Sequence, residues 1–385
     1  MNLKTLFNQS ASPRVMLLGS NRFSKDMIMA LQQLNVEVIM VDHAPSASNY
    51  QLARRAYVLD QNNLSKLREL IQQEQPHLMV LETQTIASDL LVEIERENLV
   101  TMIPSVRTTS LTMTRNNLRL WATEELDLPT SRYAFAKSFN ELQMNIHLGI
   151  GYPCLIKPMT FSLGQTHFIV KEPEEVKAAW NSVITSSDQA AVMVEEQIPF
   201  DYEITLLTVC TVGTSGEIKT DFCEPIGHLY RNSQLVESWQ PQSLTPTVLS
   251  QIHKMANKIA DKLNEPALLG IKFFIKGNKV WFNQVKLGPN EAGLVTIITQ
   301  EQNQFELHAR AWLGLPITTT LRGPGAGAMI YGDGNNIDKA LTVSETQLHL
   351  SNQSSTNGWP GIALATGQTV HEARQRATAA AARSR

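Results

Sequence analysis

Between residues 14 and 105 short apolar runs alternate with amphipathic segments, and that alternation leaves few folds open. "RVMLLGS" ends in Gly19-Ser20, "SKDMIMALQQLN" has a helical period, and "VEVIMVD" is a β-branched strand. The cycle repeats through "LSKLRELIQQEQ", "HLMVLET", "ASDLLVEIEREN" and "LVTMIPS". Strands this short and this apolar need cover on both faces, and the intervening helices supply it. The expectation is an α/β fold with a doubly wound parallel sheet. Ligands of such sheets lie beyond the C-terminal strand ends, where "GSNRF" and "LETQT" fall.

After residue 105 the rhythm changes. "TSLTMTRNNLRLWATEELDLPTS" reads as helix closing at Pro129, followed by strands "YPCLIKP" and "HFIVKE" and the helix "PEEVKAAWNSVI". "AAVMVEEQI", "DYEITLLTVCTV" and "TDFCEPIGH" read as longer antiparallel strands. A helix, "TPTVLSQIHKMANKIADKLN", leads into the hairpin "LLGIKFFIKGNKVWFNQVK", and "QFELHARAWLGLP" is a last long helix. Residues 316–385 form a tail rich in Gly, Ser and Thr that ends in an Ala-rich helix former. No internal repeat is visible.

The chain has 385 residues, enough for two or three domains. Hydrophobic residues make up 43% and charged residues 18%, ordinary for a soluble globular protein. A formal charge of -3 gives no electrostatic reason to expect nucleic acid or an anionic membrane as partner. No run approaches the roughly 20 apolar residues of a membrane span. The N-terminus has no signal-peptide core. Cys154, Cys210 and Cys223 lie in apolar runs without metal-type spacing, so buried free thiols are expected. These features place the chain in the cytoplasm.

"LTMTRNNLRLWATEELDLPTS", "GYPCLIKP", "FDYEITLLTV", "ESWQPQ" and "GIALATG" together resemble the formate-dependent phosphoribosylglycinamide formyltransferases, ATP-grasp ligases of purine biosynthesis. The likeness runs from about Val15 to the C-terminal helix. It implies an ATP-grasp architecture in three parts. Residues 1–117 are the doubly wound N-terminal domain. Residues 118–315 are the ATP-grasp region, with a small lobe at 118–197 and a large lobe at 198–315. Residues 316–385 are a small C-terminal domain. Family members activate formate as formyl phosphate with ATP, and the amine of glycinamide ribonucleotide attacks it. The resemblance also implies a homodimer.

On the nucleotide side the resemblance gives Arg115 and Lys157 to the nucleotide and its phosphates, Glu195 and Ile198 to the hinge strand under the adenine, and Glu203 to the ribose hydroxyls. These choices suit the chemistry: a lysine is a mobile point charge for phosphate, and a carboxylate accepts two hydroxyl donors. A lone Lys or Arg is more often a plain surface cation; here the motif context favours the inherited role. ATP is therefore the implied cofactor.

On the catalytic side the pattern departs. Where the family has a Ser- and Gly-rich phosphate loop with Gly-Lys-Gly, this chain has "MTFSLGQTH", with bulky Phe161 and Leu163 and only Gly164 kept. The family's magnesium ligands are two glutamates, one on each hairpin strand; Lys272 and Gln284 stand there. A two-residue loop at "GN" would set Lys272 opposite Asn283, whereas a three-residue bulged loop "GNK" sets it opposite Gln284, as the resemblance requires. An ammonium beside a neutral amide is a poor magnesium site, so magnesium is not expected.

The substrate side has changed too. "GPNEAG" puts Gly288 where an acyl-phosphate arginine is expected and Glu291 for an aspartate that holds the ribonucleotide. Arg22-Phe23 replace a Glu-Leu pair, and Gly358 and Trp359 replace two phosphate-binding arginines; Glu82 is retained. "GSNRFS" is not a dinucleotide fingerprint. His228 and Trp239-Gln240 match the family but equally suit packing. His147, His253 and His308 read as surface or interface residues.

Two readings follow. In one, the chain is a non-catalytic or altered relative that keeps the nucleotide-binding half, with a nucleotide or small anionic molecule as partner. In the other, it is an active ATP-grasp ligase, as in the family. Lys286, two residues from Gln284 on the same strand face, adds positive charge beside Lys272. Either this charge makes an anion site without metal, or Glu291 or another acid pairs with the lysines and closes the pocket.

Overall fold

The computed structural model describes residues 12–43, 48–60, 62–82, 88–112, 114–159, 167–185, 191–213, 216–231, 234–331, 336–350 and 361–384. Five parallel strands form the N-terminal sheet, in the order Arg55–Val58, Glu37–Asp42, Arg14–Leu18, Leu78–Leu81 and Thr101–Ile103. Alternate residues serve opposite layers: Val15, Leu17, Val38 and Met40 pack with Met27 and Leu31, while Met16, Leu18, Ile39 and Val41 pack with Leu67 and Leu91. Both faces are therefore dry, as the unbroken apolar runs require. The strand order turns back on itself between Arg14–Leu18 and Leu78–Leu81. At that crevice lie Asn21, Arg22 and Glu82.

The next lobe is a four-stranded antiparallel sheet, in the order Tyr133–Ala136, Val192–Glu196, Cys154–Pro158 and Phe168–Val170. The helices Phe139–Asn145 and Val176–Thr185 close one of its faces through Leu142, Val176, Ala179 and Val183. All three cysteines are free and buried. The segment expected as one helix before Pro129 is instead broken: Val106–Thr112, Arg115–Leu120 capped by Thr114, and a π-helical turn over Trp121–Glu125.

A nine-stranded sheet forms the rest, and its strands continue across residue 315. Gly325–Ile330, Thr346–Leu350 and Gly361–Thr366 extend it beyond Gln234–Gln240. Their small residues, such as Ala326, Ala328, Ala363 and Ala365, let the alanine face of helix Val370–Arg383 approach closely. That composition hid them in the sequence, because strands are recognised by β-branched and aromatic residues.

Helix Pro246–Leu263 starts at its Thr245 cap and covers the hairpin Ala267–Lys276 and Lys279–Leu287. Helix Gln304–Leu313 opens with an Asn303–Glu306 capping box and stops at Gly314. Its Phe305, Ala309 and Trp312 share one core with Phe23, Met27 and Leu31. This packing sets the Asn21–Arg22 crevice against the loop that follows the hairpin.

The hairpin register differs in its cause from either expected version. The turn is the two-residue Gly277-Asn278, since Lys276 pairs with Lys279, and Gly277 supplies the left-handed φ of 54°. Yet Lys272 pairs with Gln284, because the register shifts after Phe273 pairs with Phe282 and leaves Asn283 as an extra residue. The bulge lies inside the sheet, not in the turn. Among the described residues no helix is long and apolar enough to cross a membrane.

Candidate nucleotide cleft

A cleft of about 630 Å³ separates the four-stranded lobe from the hairpin face of the large sheet. Its apolar lining comprises Met193, Ile198 and Phe200 from the small-lobe side and Phe274 and Phe282 from the hairpin, among others; Phe200 stacks on Phe274 at 4.7 Å. Beside these lie Arg115, Lys157, His167, Glu203, Lys272 and Gln284, with Lys157 paired to Met193 and Glu203 to Phe274 across neighbouring strands. Of the sequence-expected nucleotide residues, Arg115, Lys157, Ile198 and Glu203 thus meet in one cavity.

Glu195 is placed otherwise. Its side chain is buried behind the cleft floor, where Lys157 Nζ and Arg119 bond to it, the latter at 2.8 Å, and Ser131 Oγ donates at 3.1 Å. Its carboxylate is spoken for, so the side chain is not available to a ligand in the cleft. Burial alone would raise its pKa, but the charges of Lys157 and Arg119 outweigh that and hold it at about 2. Desolvation brings Arg115 down to about 10, which leaves it protonated at neutral pH. Burial and Lys157 push His167 down to about 4, so it is neutral there. Three cations around one carboxylate leave a positive surplus on this wall of the cleft.

Across the cleft, Lys272 Nζ donates to the Tyr230 hydroxyl at 2.8 Å and lies 4.4 Å from the centre of that ring. Burial works against the ammonium, but Tyr230, Glu203 and Glu291 outweigh it and hold the group above the ordinary lysine range. Beside it, Glu203 accepts from Asn283 Nδ2 at 3.4 Å and stands 3.7 Å from His228 Nδ1. His228 is buried and bonded through Nε2 to Thr205 at 3.0 Å; burial keeps its pKa well below normal, so it is a neutral packing residue.

Glu82 and Glu291 lie in a second cluster at the mouth of the N-terminal crevice. Asn21 Nδ2 donates to both the backbone oxygen of Glu82 at 3.0 Å and its carboxylate at 2.5 Å. Glu291 bonds to Arg22 from the opposite domain. Lys286 holds its ammonium 5.9 Å from the Phe23 ring centre, where Glu291 and Glu82 both act on its charge. Gly288 holds a φ of 84°, and a Cβ there would come within 3.1 Å of His308 Nε2. A side chain at this position would be strained, and the arginine expected here is absent from the sequence. His308, expected on a surface, is in fact buried: its Nδ1 accepts the Leu268 N–H at 3.0 Å and it packs on Trp312. His253 stacks on Phe222 at 4.2 Å, while His147 is exposed as expected.

Burial raises the Glu82 carboxyl to about 7, against the opposing Asn21 hydrogen bond and Lys286 charge. A raised acid favours the fold below its unfolded value of 4.5, and that advantage is lost as pH rises through 7. Glu82→Gln should therefore stabilise the protein at pH 8, by up to about 3 kcal/mol. Thermal melts at pH 8 and pH 4.5 check this: the gain should vanish at the lower pH.

Comparison with known proteins decides the family. The chain is 44% identical over 396 residues to the formate-dependent phosphoribosylglycinamide formyltransferase of Dechloromonas aromatica (strain RCB), covering 100% of this chain and 99% of that protein. It is 45% identical over 386 residues to the enzyme of that name from Thioalkalivibrio sulfidiphilus (strain HL-EbGR7), covering 97% of each. The chain belongs to the formate-dependent phosphoribosylglycinamide formyltransferase family. The ATP-grasp domain family matches residues 121–305. A solved structure described as glycinamide-RNase-transformylase T from Mycobacterium tuberculosis superposes with a TM-score of 0.80 at 32% identity, over 96% of this chain and 99% of that one. An ADP complex of N5-carboxyaminoimidazole ribonucleotide synthetase reaches 0.85 at 20% identity, over 96% of this chain and 97% of that one, and shares the fold.

The cleft of this family member has a lining compatible with a nucleotide: apolar side chains, the Glu203 carboxylate and a surplus of cations. Magnesium does not fit the hairpin position. It wants hard oxygen donors, and the position offers an ammonium and an amide. Among the described residues no group of three or more His, Cys, Asp or Glu could hold a metal ion. The loop with Phe161, Leu163 and Gly164, and the positions Gly358 and Trp359, lie outside the described residues. Sequence reasoning missed Arg119, Tyr230 and Asn283. Arg119 follows Arg115 by one helical turn, a usable signal; Tyr230 reaches Lys272 only through a sheet neighbour that no local pattern reveals.

Proposed function

We propose that this family member binds a nucleotide but does not use it to drive acyl-phosphate formation. The observation that carries the reading is the pairing of Lys272 with Gln284 at the cleft wall. Transferring phosphoryl groups are stabilised mainly by fixed charges and metal ions, and here the ion's place holds a positive group. Gly288, which stands where the resemblance expects an arginine, supports the same reading from the acyl side. On the resemblance alone, the chain is expected to act as a cytoplasmic homodimer, with a nucleotide or small anion as its partner.

The second reading, an active ligase joining formate to glycinamide ribonucleotide, is favoured by the 44% identity along the whole chain to enzymes of that name. An ADP-release assay with ATP, magnesium, formate and glycinamide ribonucleotide separates the two. The proposal expects ADP at the no-enzyme background, beside strong release by a relative assayed in parallel. Turnover with formylated product would establish the ligase.

A further inference from the structure

The two sequence-level outcomes for the hairpin lysines, an open cationic site or a pocket plugged by an acid, are separated by the contacts around them. Among the described residues neither Lys272 nor Lys286 forms an ion pair. Glu291, the acid nearest in sequence, is taken by Arg22. Glu203 bonds to Asn283 and stands beside His228. An ammonium has three donors, and among the described residues Lys272 gives one of them, to Tyr230. Tyr230 thus fixes where Nζ sits: its hydroxyl accepts from the front and its ring face lies alongside.

The charge count points the same way. Lys272, Lys286 and Arg22 are balanced by Glu203, Glu291 and Glu82, while Arg115, Lys157 and Arg119 against the single Glu195 leave a positive surplus on the cavity that Lys272 also lines. Lys272 also lines the cavity that holds Arg115 and Lys157, within reach of whatever those cations bind.

We propose that Lys272, held by Tyr230 and backed by Lys286, takes the place of the divalent cation and binds the terminal phosphates of a nucleoside di- or triphosphate directly. The ligand is then metal-free nucleotide. Magnesium competes for the same phosphate oxygens, and brings its own charge against the ammonium, so it weakens binding instead of supporting it. This inference rests on the nucleotide-binding reading above.

Calorimetric titration of the full chain tests it, with ATP, ADP, AMP and pyrophosphate, each in EDTA and then with excess magnesium. The expected result is that ATP binds in EDTA at least as tightly as with magnesium. Lys272→Met should weaken ATP in EDTA by roughly ten- to a hundredfold, the loss of one charge-assisted contact. AMP, which lacks the terminal phosphates, should bind equally to both proteins. Lys272→Arg, which keeps the charge, should retain most of the ATP affinity, and thermal melts confirm that each variant is folded. Tighter pyrophosphate than ATP would assign the site to a free polyphosphate and overturn the nucleotide as ligand. Tightening of ATP by more than about tenfold with magnesium would overturn the cation substitution while leaving nucleotide binding intact. Failure of both AMP and ATP to bind under any condition would overturn the nucleotide reading and this inference with it.

Discussion

Glu195→Gln should cost about 3–5 kcal/mol of stability, because it strips the one carboxylate from between Lys157 and Arg119. All three side chains are buried, so water cannot replace the lost counter-charge. The amide keeps the volume and part of the hydrogen bonding, which isolates charge as the cause. The size is consistent with the carboxylate's titration. Its folded value near 2 against 4.5 corresponds to about 3 kcal/mol at neutral pH. The sign follows: a depressed acid contributes stability above its unfolded value, and the contribution is lost as pH falls through the folded one. The gap between the two proteins should therefore be full at pH 7, shrink below pH 4.5 and close near pH 2. Chemical denaturation of both proteins across that range measures it. A gap of under about 1 kcal/mol at pH 7 would mean that the triad is solvated and that the cleft floor is not the rigid layer described.

The second large effect is expected from Lys272→Glu with Gln284→Glu. The pair replaces an ammonium and an amide with two carboxylates on facing strands. At about 4 Å and an effective dielectric near 20, each pair of unit charges contributes about 4 kcal/mol, and roughly twice that against a dication. Affinity for Mn²⁺ in the presence of a non-hydrolysable ATP analogue should rise by roughly two orders of magnitude or more, read by electron paramagnetic resonance. Turnover with formate and glycinamide ribonucleotide should stay absent, because Gly288 still leaves the acyl-phosphate side without its arginine. Full activity in this variant would mean that only the metal ligands had been lost.

Much of this was legible in the sequence, for identifiable reasons. The N-terminal sheet announced itself because strands buried on both faces are written as unbroken apolar runs. The Lys272–Gln284 pairing was reached through the resemblance, but its cause was misplaced. A bulge at Asn283 leaves no mark in the residues, whereas Gly277-Asn278 plainly spells a two-residue turn. Glu195 was legible as part of the hinge and illegible as the anchor of Lys157, since that contact joins strands through space and depends on where each side chain points. His308 misled for a similar reason: a histidine on a helix reads as polar until its ring is seen to accept a buried N–H. Local pattern fixes periodicity; partners across a sheet or between domains are set by packing.

The most direct test is electron paramagnetic resonance of the unaltered protein mixed with Mn²⁺ and a non-hydrolysable ATP analogue. The protein should bind no manganese, and the free-ion signal should hold or rise as protein draws nucleotide away from the metal. Stoichiometric Mn²⁺ on the protein, dependent on nucleotide and abolished by Gln284→Ala, would contradict the account at its root.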